Sequence, residues 1–289
     1  MMPVRRFGFT LIETVIVITL MGILVSIVAA FIVRPVEGYR DIARRAALVE
    51  AAESALQRMR RDIRTALPNS VRVANTAGGY ALELIPVLDG ARYDRGGNNP
   101  ECELNFGGDN EFDVEHLFRN PATLTTAGIR IVINNTGTTT ANNAYTATGS
   151  PNTVITPVGT TISITPSGTP CPTGAHHVTL TPAYNFLSQS PNQRLYVVTQ
   201  ALSYLCDTAG STLTRYSDYA INVSQPITAA DFVALNASSA LAANRVTACS
   251  VTSTTSDVRN RALVTLTLTL AESGEEIRLV HQAQVDNTR

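Results

Sequence analysis

The residues with the clearest chemical consequence stand at the extreme N-terminus, in the run Arg5-Arg6-Phe7-Gly8-Phe9-Thr10-Leu11-Ile12-Glu13. Glu13 puts a carboxylate at the start of an apolar segment, where an unpaired charge costs on the order of 2.5–3.5 kcal/mol or more at bilayer depth. It needs a counter-ion. The nitrogen of Phe9 is an uncharged amide in the intact chain, whereas hydrolysis after Gly8 turns it into an ammonium with an intrinsic pKa of about 8. Cleavage would manufacture the missing cation.

The other side chains suggest no enzyme. All 22 Lys+Arg are arginine, which excludes a P-loop lysine, a Schiff-base lysine and a kinase-type lysine. No Gly-x-Ser-x-Gly, His-Glu-x-x-His or Gly-x-Gly-x-x-Gly pattern occurs, so neither a catalytic residue nor a cofactor is expected. The acidic run Asp109-Asn110-Glu111-Phe112-Asp113-Val114-Glu115 could offer oxygens to calcium. It lacks the spacing and glycine of an EF-hand and reads as an exposed acidic loop. His176-His177 beside Cys171 also reads as a loop, and no metal is expected. A net charge of −1 with 16% charged and 44% hydrophobic residues excludes a disordered chain and a polybasic nucleic-acid binder.

Cys102, Cys171, Cys206 and Cys249 all follow the apolar segment and form no Cys-x-x-Cys. An even number in an exported region suggests two disulfides, and four cysteines permit three connectivities. Cys206 with Cys249 is preferred, because the two flank a strand-rich region over 214–248. That leaves Cys102 with Cys171 across a loop-rich stretch. Each bridge would contribute roughly 3–4 kcal/mol through loop entropy.

An anchor must position Glu13. Residues 14–33 carry no charge, and these 20 positions make roughly 30 Å of helix, the thickness of a hydrocarbon core. Val28-Ala29-Ala30 loosely imitates a signal-peptidase site, but the apolar stretch exceeds a typical h-region and no polar cleavage region follows. The segment is a retained membrane helix.

Gly8 followed by Phe9-Thr10-Leu11-Ile12-Glu13 and an apolar helix resembles the type IV prepilin family, which includes the pseudopilins of type II secretion. The resemblance covers about 25 residues without mismatch. It implies that a prepilin peptidase/methyltransferase cuts between Gly8 and Phe9 on the cytoplasmic side and N-methylates Phe9. It further implies that Glu13 pairs with the Phe9 amine of a neighbouring subunit during assembly.

Beyond the span, Pro35 should bend the helix, since proline removes a backbone donor. The helix then continues: Ile42, Ala46, Val49, Ala52, Leu56, Met59, Ile63 and Ala66 recur at steps of three and four as one apolar stripe. Leu67-Pro68 ends it, giving a helix over 9–66. Arg40, Arg44, Arg45, Arg60, Arg61 and Arg64 lie mostly off the stripe, as a solvated face with contacts to acidic surfaces of neighbours for the remainder. Asp41 and Arg45 have the favourable i,i+4 order. From Asn69 the period becomes two: Tyr80, Leu82 and Leu84, then Ile129, Ile131 and Ile133, then Val264, Leu266, Leu268 and Leu270 mark half-buried strands. A turn at 272–275 predicts a closing hairpin. Residues 134–174, rich in Thr, Asn, Gly, Ala and Pro, read as exposed loop with short strand candidates at 153–156 and 161–165. His281 is assigned no chemistry.

The expected architecture is α+β and pilin-like, a long N-terminal helix packed on an antiparallel β-sheet head. Its parts are a cleaved leader (1–8), an assembly helix (9–33), an amphipathic stem (34–67) and a β-rich head (68–289). Residues 58–73, which include Arg60-Arg61-Asp62-Ile63-Arg64 and Leu67-Pro68-Asn69-Ser70, resemble minor pilins of the mannose-sensitive haemagglutinin pilus, as do Ser203-Tyr204-Leu205-Cys206-Asp207 and Leu213-Thr214-Arg215-Tyr216. This resemblance implies a low-abundance subunit that primes or caps a filament. Its partners would be the peptidase, other major and minor pilins, the inner-membrane assembly machinery and the membrane, with no nucleic acid. The chain would cross the inner membrane once, N-terminus cytoplasmic and head periplasmic, before entering a filament near its tip. A type II secretion pseudopilin and a tip adhesin are the alternatives.

Overall fold

The structure, a computed structural model, describes residues 8, 10–95, 101–115, 117–125, 128–146, 153–168, 171, 175–256 and 261–285. Helix α1 spans Leu11–Arg64, 54 residues or about 81 Å. Thr10 caps it, its Oγ1 accepting from the Glu13 N–H at 3.4 Å. The helical backbone runs on through Pro35.

The first part of α1 touches nothing: Leu11–Ala29 is long and apolar enough to span a bilayer, and none of it is buried against the protein. The head begins to cover the helix at Leu48. From there Leu48, Ala52, Ala55, Leu56, Met59 and Ile63 are buried. The stripe expected to begin at Ile42 is therefore corrected, since Ile42 is 71% exposed, Val49 is 38% exposed and Ala46 is also exposed. A seven-residue repeat slides around a 3.6-residue helix by about 20° per heptad. Ile42 thus points well away from Ile63. The helix also stops two residues short of the expected Ala66. After Thr65 the chain pairs as a strand, with Ala66 bridging Pro86, Leu67 N–H donating to Ile85 O at 2.7 Å and Val87 N–H to Thr65 O at 3.0 Å.

Among the described residues the head holds four antiparallel sheets. The first is built from β1 (Arg72–Thr76), β2 (Gly79–Leu84), β9 (Ala201–Asp207), β10 (Thr212–Tyr219) and β11 (Ser238–Asn244), in that spatial order. The second is β12 (Val246–Ser256), β13 (Arg261–Glu272) and β14 (Glu275–Gln284). Two smaller sheets join β3 (Val87–Arg92), β8 (Arg194–Val198) and β5 (Arg130–Ile133), and β4 (Asp109–Val114), β7 (His176–Tyr184) and β6 (Thr161–Pro166). A short helix, α2 (Ala229–Ala234), lies between β10 and β11. The β13–β14 hairpin turns through Ser273 and Gly274, both at positive φ (50° and 87°), as a two-residue turn in a right-twisted ladder requires.

The strands at 80–84 and 129–133 are not half-buried as their alternation implies. Every residue from Tyr80 to Leu84 and from Ile129 to Ile133 is buried. Tyr80, Leu82 and Leu84 join the stem cluster of Leu56, Met59, Leu266 and Leu268, while Ala81 packs in a second cluster with Leu67, Tyr145, Val198 and Phe232. The second layer comes partly from the segment expected to be exposed loop. Ala144, Tyr145, Val154 and Ile155 are core residues, and Asn135 ties the segment down by donating to Pro68 O at 2.7 Å and accepting from Ala144 N–H at 2.9 Å. Its amide groups do locally what water would do for an exposed loop. Residues 153–156 form only a bridge, Ile155 to Val132, whereas 161–165 lie within strand β6. The acidic run at 109–115 is likewise no loop: its first six residues are β4, with Phe112, Asp113 and Val114 buried, paired with His176 and His177 at the start of β7.

Candidate assembly site

Four polar side chains occur between Leu11 and Ala29, and the helix satisfies three of them. Thr14 Oγ1 donates to Thr10 O at 3.3 Å, Thr19 Oγ1 to Ile16 O at 2.9 Å and Ser26 Oγ to Ile23 O at 2.7 Å. Such back-bonding hides a hydroxyl from hydrocarbon. Glu13 is the exception: among the described residues its exposed carboxylate has no hydrogen-bond partner.

The local geometry leaves that carboxylate uncommitted. Thr10 and Glu13 have the Thr-x-x-Glu spacing of a capping box, in which the acid reaches back to the cap nitrogen. In α2 the same motif is complete, with Asp231 N–H donating to Thr228 Oγ1 at 3.2 Å and Thr228 N–H donating to Asp231 Oδ2 at 2.9 Å. In α1 only the threonine half is made. Sequence reasoning missed Thr10 as a cap, although the spacing was there to find it. Gly8 is exposed, and a Cβ built on it would meet nothing within 4 Å. Phe9 itself lies outside the described residues. The negative charge in the first turn also sits at the positive end of the helix dipole.

A second polar region locks stem to head. Asp62 on α1 accepts from Tyr204 Oη at 2.7 Å and Arg215 Nε at 3.0 Å. Burial first, and then Asp62, push the Tyr204 phenol far above its usual range. One layer away Arg72 donates to Glu83, to Asn222 O at 2.8 Å and to Val223 O at 2.7 Å, while stacking 3.7 Å over the Tyr145 ring. Tyr219 Oη donates to Glu83 Oε1 at 2.9 Å and shares a bond with Ser203 Oγ at 2.7 Å. Burial raises the Glu83 carboxyl above its usual value, with Arg72 pulling it back. Asp62, Arg72, Ser203, Tyr204 and Arg215 of this junction lie within the stretches that carry the narrower resemblance. Of the acid partners near the membrane, Asp41 meets Arg44 at 3.4 Å rather than Arg45, and Arg44 also reaches Ser273 O at 3.3 Å. His281, unassigned from sequence, meets the stem residue Glu53 at 3.0 Å.

Cys206–Cys249 and Cys102–Cys171 are disulfides, with Cα–Cα distances of 6.7 and 5.6 Å. The first staples the large sheet to the C-terminal one. Sulfurs of the second lie within 4.8 Å of an Asp113 carboxylate oxygen, but sulfurs joined to one another are not thiolate ligands for a metal. Asp113 is instead bonded to His177 Nδ1 at 2.6 Å and to Ser167.

Residues 4–29 match the family described as the prokaryotic N-terminal methylation motif. No curated protein and no solved structure matches the chain.

Proposed function

Starting from a chain that carries the N-terminal methylation motif of type IV prepilins and pseudopilins on a pilin-like α+β fold, we propose that it is a minor pilin of the mannose-sensitive haemagglutinin type, comparable to MSHA biogenesis protein O. Prepilin peptidase cuts between Gly8 and Phe9 and methylates Phe9. The span then leaves the inner membrane for a filament, where Glu13 takes the Phe9 amine of a neighbour as its counter-ion. The observation that carries the reading is Glu13, the one polar side chain of the apolar helix without a partner among the described residues, in the first turn after the cleavage motif. The narrower assignment is supported by the junction residues Asp62, Tyr204 and Arg215, whose sequence context carries the resemblance.

Intact-mass analysis of the protein from cells tests the processing step. A mature chain beginning at methylated Phe9 is expected, and recovery with residues 1–8 attached, in cells with active peptidase, refutes it. A pseudopilin of type II secretion shares the whole motif region. Deletion separates the two, since loss of pili supports the minor pilin and loss of secretion supports the pseudopilin.

A further inference from the structure

The outer face of the β4–β7–β6 sheet carries a polar cluster that assembly through Glu13 does not use. Strand alternation sends the two neighbouring histidines to opposite faces. His176 turns inward, where its Nδ1 accepts from the Phe118 N–H at 3.0 Å. His177 turns outward and stands across from Asp113 in the β4–β7 register, with Glu111 two residues along β4 on the same face. Thr165 of β6 continues the row. His177, Glu111 and Thr165 line an open pocket of about 280 Å³ together with Glu101 and Cys171. Glu101 is held there by its neighbour Cys102, which is bridged to Cys171.

His177 Nδ1 lies 2.6 Å from Oδ1 of Asp113, a carboxylate that is 1% exposed and also accepts from Ser167. An ionised carboxylate only accepts, so Nδ1 carries the proton and Nε2 of the neutral ring keeps a lone pair. Nε2 stands 3.5 Å from Glu111 Oε2, another electron-pair donor. Two such donors at close range call for a cation. A proton shared between them would draw them to about 2.7–2.9 Å, the span of a charge-assisted N–H···O bond. A zinc ion about 2.0–2.1 Å from nitrogen and 2.0–2.2 Å from oxygen keeps tetrahedral ligands about 3.3–3.5 Å apart. The observed separation fits the metal and not the proton. Charge points the same way. Neither Glu111 nor Asp113 has an arginine partner among the described residues, and Arg92 meets Glu115 instead at 3.4 Å. Burial, and behind it the charges of Glu103, Glu115 and Asp113, raise the nearby Asp94 carboxyl above its usual value.

We propose that His177 Nε2 and the Glu111 carboxylate, with Glu101 at the pocket rim, bind a divalent transition-metal ion of the zinc class. Asp113 is the positioning residue: it fixes the tautomer and the orientation of the ring, in the carboxylate–histidine–metal order that metal sites use. An imidazole ligand suits zinc and not calcium or magnesium, which take oxygen ligands. With three protein ligands the fourth position belongs to water, for which the pocket has room. The ion would tie the β4–β7 pair to the segment that the Cys102–Cys171 bridge already holds, and it would offset the acids gathered there. The site belongs to the head and is independent of the processing at Phe9.

The test uses the full chain in detergent, without a polyhistidine tag or reductant, stripped with a chelator and titrated with Zn²⁺ by calorimetry. One ion per chain should bind at micromolar concentration and raise the melting temperature, and millimolar Ca²⁺ or Mg²⁺ should not displace it. Asp113→Asn should weaken binding by about 10- to 100-fold, and His177→Gln by at least as much. The Glu111 side chain is 45% exposed, so Glu111→Gln keeps the fold and should still weaken binding by at least about tenfold; it decides the question should Asp113→Asn fail to fold. His281→Gln should bind as the native chain does. Co²⁺ bound in place of zinc reports ligand geometry in its visible absorption, which should change in Asp113→Asn and be lost in His177→Gln. Absence of saturable Zn²⁺ binding, or native affinity in His177→Gln or Glu111→Gln, overturns the site. Displacement by Ca²⁺ overturns the zinc class.

Discussion

Arg72→Met tests whether the junction behind the stem depends on a satisfied buried charge. Glu83 has no exposed side-chain surface and Arg72 only 12%, so the substitution strands a carboxylate in a closed layer with only Tyr219 to donate to it. Breaking a buried pair by removing one partner costs about 3–5 kcal/mol, and the slight exposure of Arg72 favours the lower end. In a head of this size about 3 kcal/mol corresponds to a fall in melting temperature of roughly 6–12 °C. Thermal unfolding of the full chain in detergent, followed by circular dichroism, measures it. Burial already raises the native carboxyl, and losing Arg72 raises it further. A carboxyl raised on folding supplies stability that is complete below the unfolded value and is lost as pH rises through the folded one. The defect should therefore be largest at neutral pH and shrink as pH falls toward 4.5, the ordinary carboxyl value. Arg72→Met/Glu83→Met removes both charges, while Tyr219 keeps Ser203 as a partner, and should recover at least half of the loss. A fall below about 1 kcal/mol for the single variant, or a double variant no more stable than the single, refutes the reasoning.

Three other outcomes are expected. Glu13→Ala should insert and be processed as the native chain is, yet be depleted from sheared filaments relative to membranes by immunoblot; normal incorporation argues against an assembly charge. Cys206→Ser/Cys249→Ser should lose about 4 kcal/mol from the head in the same melts while membrane fractionation is unchanged. Arg130 is 4% exposed, one guanidinium nitrogen has no partner among the described residues, and burial pushes its pKa down to about 10. Arg130→Met should therefore be neutral or raise the melting temperature by a few degrees, and a marked fall would mean the guanidinium is compensated.

The N-terminal features were legible because their physics is one-dimensional. A span needs only length and composition, and Glu13 stands out because nothing within reach along the chain can neutralise it. The head was legible only where one face meets solvent. Val264, Leu266, Leu268 and Leu270 are buried while Thr265 and Thr267 between them are only half-buried, and the alternation fails just at Thr269, which is 6% exposed. Glu83 and Arg130 look like solvent-facing positions of the same kind, but a second layer covers them, supplied by Tyr145, Val154 and Phe232 from segments far away in sequence. No local pattern reveals that layer. The 134–146 stretch was misjudged for a related reason: Asn135 and Asn143 are turn formers by habit, yet here they bond backbone at Pro68 and Thr138 and become interior. The lower stem failed differently, since Ile42 and Val49 obey a seven-residue repeat that drifts off the face covered by the head.

The contrast among carboxylates connects fold to assembly. Glu83 and Asp113 are fully enclosed, and each is held by two side chains, Arg72 and Tyr219 for one and His177 and Ser167 for the other. Those acids took their hydrogen-bond partners when the head folded. Glu13 occupies an apolar helix, where the cost of an unpaired charge is at least as great, and folding supplies it with no partner among the described residues. A chain that satisfies its enclosed acids and leaves this one open keeps a favourable interaction unspent until another molecule arrives. In the proposed assembly a neighbour supplies that interaction at residue 13.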